Sequence, residues 1–226
     1  MKYEAVIFDL YGTLVPTFSE TKYRHLILQM AAALSAPPEP FWKLWSASFN
    51  DSFLGIIPDS RAKIVLVCEK LGLNPEPSKI SEQTRLLFEH ETLAMIPRPD
   101  AAVVLSALKQ KQHKLGLISD CASETVVFWE NMPIKPFFDT AVFSCVAGVK
   151  KPDPRIYQLT LERLKVKPQD CLYVGDGSSH ELTGARKVGM HPVQIHVPGE
   201  IVYFLDEDDW DGPPISSLSE VLNLIE

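Results

Sequence analysis

The sequence predicts an α/β protein: a doubly wound parallel sheet with an all-helical segment inserted after the first strand. Three observations carry this. Short, largely apolar runs recur at 5–8, 114–118, 140–143, 171–174 and 192–195. They suit strands covered on both faces and are too short for free-standing helices. From the second run onward they alternate with helical stretches, the order that builds a parallel sheet through right-handed crossovers. Between residues 18 and 96 no such run occurs, and the apolar spacing is helical.

In chain order, Ala5-Val6-Ile7-Phe8 stops at Asp9, and Leu10-Tyr11-Gly12-Thr13-Leu14 follows. Gly12 lets the chain leave the sheet through angles that a residue with a Cβ resists. In open α/β sheets ligands gather at that rim, so Asp9 is either a site residue or a plain turn residue. After it, Leu26, Ile27, Met30 and Leu34 share one helical face, then Phe41, Leu44, Trp45 and Phe49, then Ile64, Val65, Cys68 and Leu71, then Ile80, Leu86, Leu87 and Leu93. Prolines at 37, 38, 40, 58, 75, 77 and 97 separate these faces. Four helices in a small bundle are therefore expected, and the aromatic residues among them read as packing. Residues 50–61, with Gly55 and Pro58, are less helical and read as a loop reaching toward the sheet edge, which makes Asn50 and Arg61 candidate substrate contacts.

Pro97-Arg98-Pro99 marks the return to the sheet. A helix over 101–112 leads to a strand ending in Ser119-Asp120, and a helix over 123–131 leads to the strand at 140–143. The turn Gly148-Val149-Lys150-Lys151-Pro152-Asp153-Pro154 precedes a helix over 155–165. The strand at 171–174 ends in Gly175-Asp176-Gly177, with a helix over 181–188 and the last strand after it. Asp206 to Asp211 is an acidic surface run, Ile215 a short edge strand, and 218–225 a closing helix. The division expected is a core of residues 1–14 and 98–226 and a helical domain of residues 15–97.

With 226 residues, 46% hydrophobic and 23% charged, the chain can bury a sizeable core. A net charge of −7 argues against nonspecific nucleic-acid or anionic-membrane partners. No apolar stretch approaches the length of a membrane span, and Met1 to Glu4 runs into a strand without a signal-type region. Four well-separated cysteines without C-x-x-C spacing read as reduced thiols, so a cytoplasmic location is expected. Oligomeric state is not legible.

Asp9, Ser119, Lys151 and Asp176 each close a strand or the turn after one. Singly they are a turn acid, a helix cap, a solvated turn charge and a plain turn. On one rim, two carboxylates, a hydroxyl and an ammonium form a set for handling an anion beside a divalent cation.

Four ordered stretches resemble the motifs of the haloacid dehalogenase-like (HAD) hydrolases: D-L-Y-G-T-L at 9–14, L-I-S-D at 117–120, K-P-D-P at 151–154 and V-G-D-G-S-S-H-E-L-T-G-A at 174–185. The helical insertion falls where many members carry a cap. The resemblance implies a Rossmann-like core with Asp9 as a nucleophile that forms a covalent intermediate. It implies Mg2+ held by Asp9, the Tyr11 carbonyl and Asp176, with Glu181 near the metal's waters. His180 stands where many relatives carry an acid. Ser119 and Lys151 would hold the transferring group, with Asp120 beside them in substrate binding, and Thr13 would order the nucleophile turn. The substrate expected is a small phosphorylated molecule.

One departure divides the reading. Phosphatases of the family usually carry an acid two residues after the nucleophile, and this chain has Tyr11, as the family's 2-haloacid dehalogenases do. Loss of a positioned acid costs roughly 10²- to 10⁴-fold toward a poor leaving group, whereas halide needs no proton. Against dehalogenation, those enzymes lack the acid that Asp176 supplies. No arginine lies near position 40, where they place a halide cradle, and Arg24 is the nearest basic candidate. The expectation is a Mg2+-dependent phosphatase; the alternatives are a 2-haloacid dehalogenase and a catalytically impaired binding protein on the same fold.

Overall fold

A computed structural model describes residues 2–17, 19–200 and 209–225. Met1, Phe18, Glu226 and residues 201–208 lie outside them, including Asp206, Glu207 and Asp208 of the expected acidic run. Five strands, β1 (Ala5–Phe8), β2 (Lys114–Ser119), β3 (Thr140–Phe143), β4 (Cys171–Gly175) and β5 (His191–Gln194), form one parallel sheet of order β3-β2-β1-β4-β5. The predicted doubly wound α/β fold is therefore the observed one. β1 is central and its four side chains are fully buried, which is why it reads as an unbroken apolar run.

The pleat divides β1 between two cores. Val6 and Phe8 enter one with Val104, Leu105 and Leu108 of α6 (Ala101–Gln110). Ala5 and Ile7 enter the other with Ile156, Tyr157 and Leu161 of α9 (Pro154–Leu164) and with Leu182 and Ala185 of α10 (Glu181–Lys187). Helices thus cover both faces, and the ends of β1, β2 and β4 reach one rim.

Between β1 and β2 the chain forms α1 (Glu20–Ala33), α2 (Pro38–Ala47), α3 (Phe49–Phe53), α4 (Ser60–Lys70) and α5 (Pro77–Ala94). Among the described residues their shared core draws on residues between Tyr23 and Leu87 and centres on Ile27, Phe41, Trp45, Ile64 and Leu87. Pro38 and Pro77 begin α2 and α5, where a missing N–H costs nothing, and the Asp59 carboxylate caps α4 through Ala62 N at 2.7 Å.

Five helices stand where four were expected. The Ser48 hydroxyl donates to the Trp45 carbonyl at 2.8 Å, α2 ends at Ala47, and Phe49 opens a separate short helix. The segment after α3 does reach the sheet edge. Gly55 has φ +71°, and a Cβ there would lie 2.1 Å from the carbonyl of Cys145 in α8 (Ser144–Ala147), so glycine alone permits this approach.

At the other end, the expected edge strand is a single bridge between Ile195 and Ile215, followed by a 3-10 turn, Leu218–Glu220, and α11 (Val221–Leu224). All four cysteines are free, and Cys145 alone among them is only half-buried. Among the described residues no helix is long and apolar enough to cross a membrane.

Candidate active site

The rim is built around Asp9, whose amide donates to Val174 O at 2.9 Å and so holds the acid against the end of β4. The chain then folds tightly: Leu14 N and Val15 N both donate to Leu10 O, at 2.9 and 3.0 Å. Gly12 has φ +75°, and a Cβ there would lie 2.2 Å from Asp176 Oδ2, so the Asp9 loop and the Asp176 loop touch through a missing side chain. Arg98 fastens the turn from outside, donating to Thr13 O at 2.7 Å and Gly12 O at 3.0 Å and pairing with Glu200. The Thr13 hydroxyl faces Asp9 Oδ2 at 3.4 Å.

Lys151 joins three of the predicted residues. Its amide donates to Asp120 Oδ1 at 3.0 Å, and its buried Nζ lies 2.6 Å from Asp9 Oδ1 and 2.5 Å from Glu181 Oε2. Burial alone would depress this ammonium. Asp9, Glu181 and Asp120 overcome it and hold the proton on Lys151 well above the usual range. Glu181 is fully buried and also accepts from Tyr173 OH at 2.7 Å and Gly177 N at 3.0 Å, so both its oxygens are engaged within the protein.

Asp9, Asp176 and Glu181 each bring a carboxylate oxygen within 4.8 Å of the others. Three carboxylates around one ammonium leave excess negative charge in a buried place. Asp176 is accordingly pushed up to about 7, by burial first and then by Glu181, even though Ser178 donates to its Oδ1 through both N and Oγ. Asp9 is raised well above its usual range by burial, with Glu181 and Asp176 adding to the effect against Lys151. An all-oxygen set with unmet negative charge fits a hard divalent cation such as Mg2+. Ser119 Oγ and Asp120 Oδ2 are buried without hydrogen-bond partners among the described residues, as polar atoms are where a ligand completes a site.

The rim opens into a cavity of about 360 Å³ closed by the inserted helices. Asp9, Tyr11, Asp120, Lys151 and Asp176 line its floor; Ser119 is fully buried behind them. The Tyr11 phenol lies 3.0 Å from Thr125 Oγ1, and burial keeps it protonated well beyond the normal phenol range. Tyr23, Trp45, Phe49, Lys63 and Glu91 line the roof. Glu124 of α7 (Ser123–Trp129) ties floor to roof by accepting from Ser60 N, the first residue of α4, at 2.6 Å.

Asn50 and Arg61 correct the sequence reading. Both are exposed and outside the cavity lining; Arg61 donates to Ser81 Oγ at 3.0 Å on the outer surface. The residues of that segment that face the cavity are instead Ser52, Phe53, Ile57, Asp59 and Ser60. Arg24 is paired with Glu39 at 2.8 Å, away from the cavity. Sequence reasoning missed Lys63, Glu91, Glu124 and Arg98. Only Lys63 carries a local signal, a lysine in i+4 and i+8 register with Val67 and Leu71 on the apolar stripe of α4.

The sequence model of the haloacid dehalogenase-like hydrolases matches residues 3–189, and the chain belongs to that family. It is 33% identical over 200 residues, 85% of each chain, to the glyceraldehyde 3-phosphate phosphatase of Methanothermobacter thermautotrophicus. It is 26% identical over 97% of its length to 94% of (S)-2-haloacid dehalogenase 2 of a Pseudomonas species. Coverage varies among relatives: against the glyceraldehyde 3-phosphate phosphatase of Methanopyrus kandleri it is 32% identical over 58% of this chain and spans only 56% of that protein. Among solved structures, 2-haloacid dehalogenase from Pseudomonas syringae pv. Tomato DC3000 superposes with a TM-score of 0.72 at 23% identity over 98% of this chain and 97% of that one, a likeness of fold. The motif resemblance read from the sequence is thus family membership.

Proposed function

We propose that this hydrolase is a Mg2+-dependent phosphatase acting on a small phosphate monoester, with residues 15–97 serving as its cap. The observation that carries the reading is the convergence of Asp9, Asp176 and Glu181 within 4.8 Å. Asp176 is a buried acid that disturbs Asp9 unless a cation lies between them. Asp9, the Tyr11 carbonyl and Asp176 would hold Mg2+, which supplies charge neutralisation when bound. Glu181 contributes its charge and, through its contact with Lys151 Nζ, positions the lysine.

In the first step a carboxylate oxygen of Asp9 bonds to phosphorus as the ester oxygen leaves. In the second, water displaces Asp9 and phosphate departs. Lys151 offsets the negative charge of Asp9 so that an anion can approach, and Ser119 and Asp120 supply polar atoms toward the phosphoryl oxygens. Thr13, with Arg98 behind it, keeps the nucleophile turn in place. Tyr11 holds its phenolic proton too tightly to replace the missing acid well, so esters with good leaving groups turn over fastest. The relatives named glyceraldehyde 3-phosphate phosphatase support a phosphorylated substrate of about three carbons, a size that suits the cavity.

Tyr11 and the dehalogenase relative favour a second reading, in which Asp9 displaces halide from a 2-haloacid and no leaving-group proton is needed. One screen separates the two: phosphate release from small phosphate esters and chloride release from 2-chloropropionate, each with and without Mg2+. The phosphatase reading requires Mg2+-dependent phosphate release. Chloride release that ignores chelation, with no phosphate release, would replace it with the second.

A further inference from the structure

We infer that Lys63 and Glu91, on the roof of the cavity, form a carboxylate-binding subsite, so that the preferred substrate is a phosphate ester bearing a carboxylate at the end remote from phosphorus. The inference rests on the phosphatase reading and specifies its substrate class.

Lys63 is 4% exposed, an extreme burial for a lysine, and its Nζ lies 4.4 Å from the ring centre of Trp45 and 4.2 Å from that of Phe49. No carboxylate comes within ion-pair distance of it among the described residues, so the ring faces and the more distant charges of Glu124 and Glu91 are its compensation for lost hydration. Across the same cavity wall Glu91 Oε2 is buried and without a hydrogen-bond partner. A lysine without a direct ion pair and a carboxyl oxygen without a hydrogen-bond partner, both on the lining of one cavity, are costly unless a ligand completes them.

Their chemistry selects the ligand. Lys63, lowered to about 7 mainly by burial, offers N–H donors, and a bound anion would favour its charged form. Glu91 is pushed up to about 8, by burial first and then by Glu124, so near neutral pH it carries a proton and donates as well. A carboxylate accepts from both and meets the charge, whereas an alcohol or aldehyde oxygen can accept from both donors but brings no charge to answer Lys63. Glu124, whose Oε1 accepts from Ser60 N, and Glu91 support the Lys63 charge only from beyond ion-pair distance, so a ligand carboxylate would supply the direct contact that neither makes. The apolar wall of Trp45 and Phe49 leaves room for a short carbon chain between this subsite and Asp9.

The test compares 3-phosphoglycerate with glycerol 3-phosphate, which share a carbon count and a phosphate and differ at the remote end. The wild-type protein is expected to favour the acid by at least about 10-fold in kcat/KM, as a charge-assisted contact provides. In Lys63→Met, which keeps the packing between the rings, that ratio is expected to fall about 10- to 100-fold, mainly through KM for the acid. Turnover of both esters by the wild type without preference, or an equal loss on both in the variant, would overturn the inference while leaving the phosphatase reading intact. Turnover of neither ester would overturn the inference alone if Mg2+-dependent release of phosphate from p-nitrophenyl phosphate persists, and both readings if it does not.

Discussion

Lys151 Nζ lies 2.6 Å from Asp9 Oδ1, and both side chains are at least 95% buried. The same ammonium is shared with Glu181, which is fully buried. It therefore offsets two carboxylates at once, and Lys151→Met leaves Asp9, Asp176 and Glu181 without a paired cation among the described residues. Breaking such a pair costs about 3 to 5 kcal/mol, and loss of an anion-stabilising group lowers kcat about 10²- to 10³-fold. The stability deficit should shrink on acidification, because the stranded carboxylates then take up protons. Urea unfolding of wild type and variant at pH 8 and pH 5 checks this; a deficit independent of pH contradicts it.

Asp176 makes the site responsive to divalent cations. Mg2+ at about 100 times its dissociation constant is expected to stabilise the wild type by about 2.7 kcal/mol, roughly 5 to 10 °C in Tm for a chain of this size. In Asp176→Asn that shift is largely lost. The metal-free variant should melt at or above the metal-free wild type near pH 8, since one buried negative charge is gone. Thermal melts with Mg2+ and with chelator measure both effects, and an equal Mg2+ shift in the two proteins contradicts the assignment.

Gly12 and Gly72 form a matched pair. Both have positive φ, +75° and +70°, but a Cβ at Gly12 meets the Asp176 carboxylate whereas one at Gly72 meets nothing within 4 Å. Gly72→Ala is expected to cost only backbone strain, about 1 to 2 kcal/mol. Gly12→Ala should exceed it by about 1 to 3 kcal/mol and weaken Mg2+ binding, because Asp176 must shift. Equal costs in denaturant melts would contradict the close approach of the two loops.

Glu91 gives a pH signature. Its carboxyl is raised from 4.5 to about 8 in the folded protein, so between those values the native state binds more protons than the unfolded chain. Stability from this group is then lost as pH rises, by at most ~1.4 kcal/mol per pH unit. Glu91→Gln removes that slope, so the variant should gain on the wild type steadily from pH 5 to pH 7. Lys63 of α4, lowered to about 7 mainly by burial, adds its opposite slope only above that pH, while Glu124 of α7, Tyr23 of α1 and Tyr11 after β1 are further ionisable neighbours. A constant difference in Tm across the window contradicts the buried, protonated state of Glu91.

The core was legible because its signals are local. Ala5–Phe8 is short and wholly apolar because it lies at the centre of the sheet, and Asp9 and Asp176 stand where strands end. The division of Phe41 to Phe53 into two helices was not, because the break at Ser48 is a side-chain bond to Trp45 O within an otherwise continuous apolar face. On the roof, Glu91 and Glu124 resemble solvated helix acids in sequence. Only the packing of α4 and α5 against α7 buries them, and that contact joins residues tens of positions apart. Asn50 and Arg61 misled for the converse reason: they lie on α3 and α4, on either side of the inward bend at Ile57, and both helices turn these two side chains out.

The account stands most directly on Asp9 as nucleophile. The decisive measurement is the rate of phosphate release from p-nitrophenyl phosphate, with Mg2+, by wild type and by Asp9→Asn, after cooperative thermal melts above the assay temperature have shown both folded. A loss of at least about 10³-fold in the variant is the predicted result. Asp9→Asn protein that releases phosphate at a rate comparable to wild type would contradict the account.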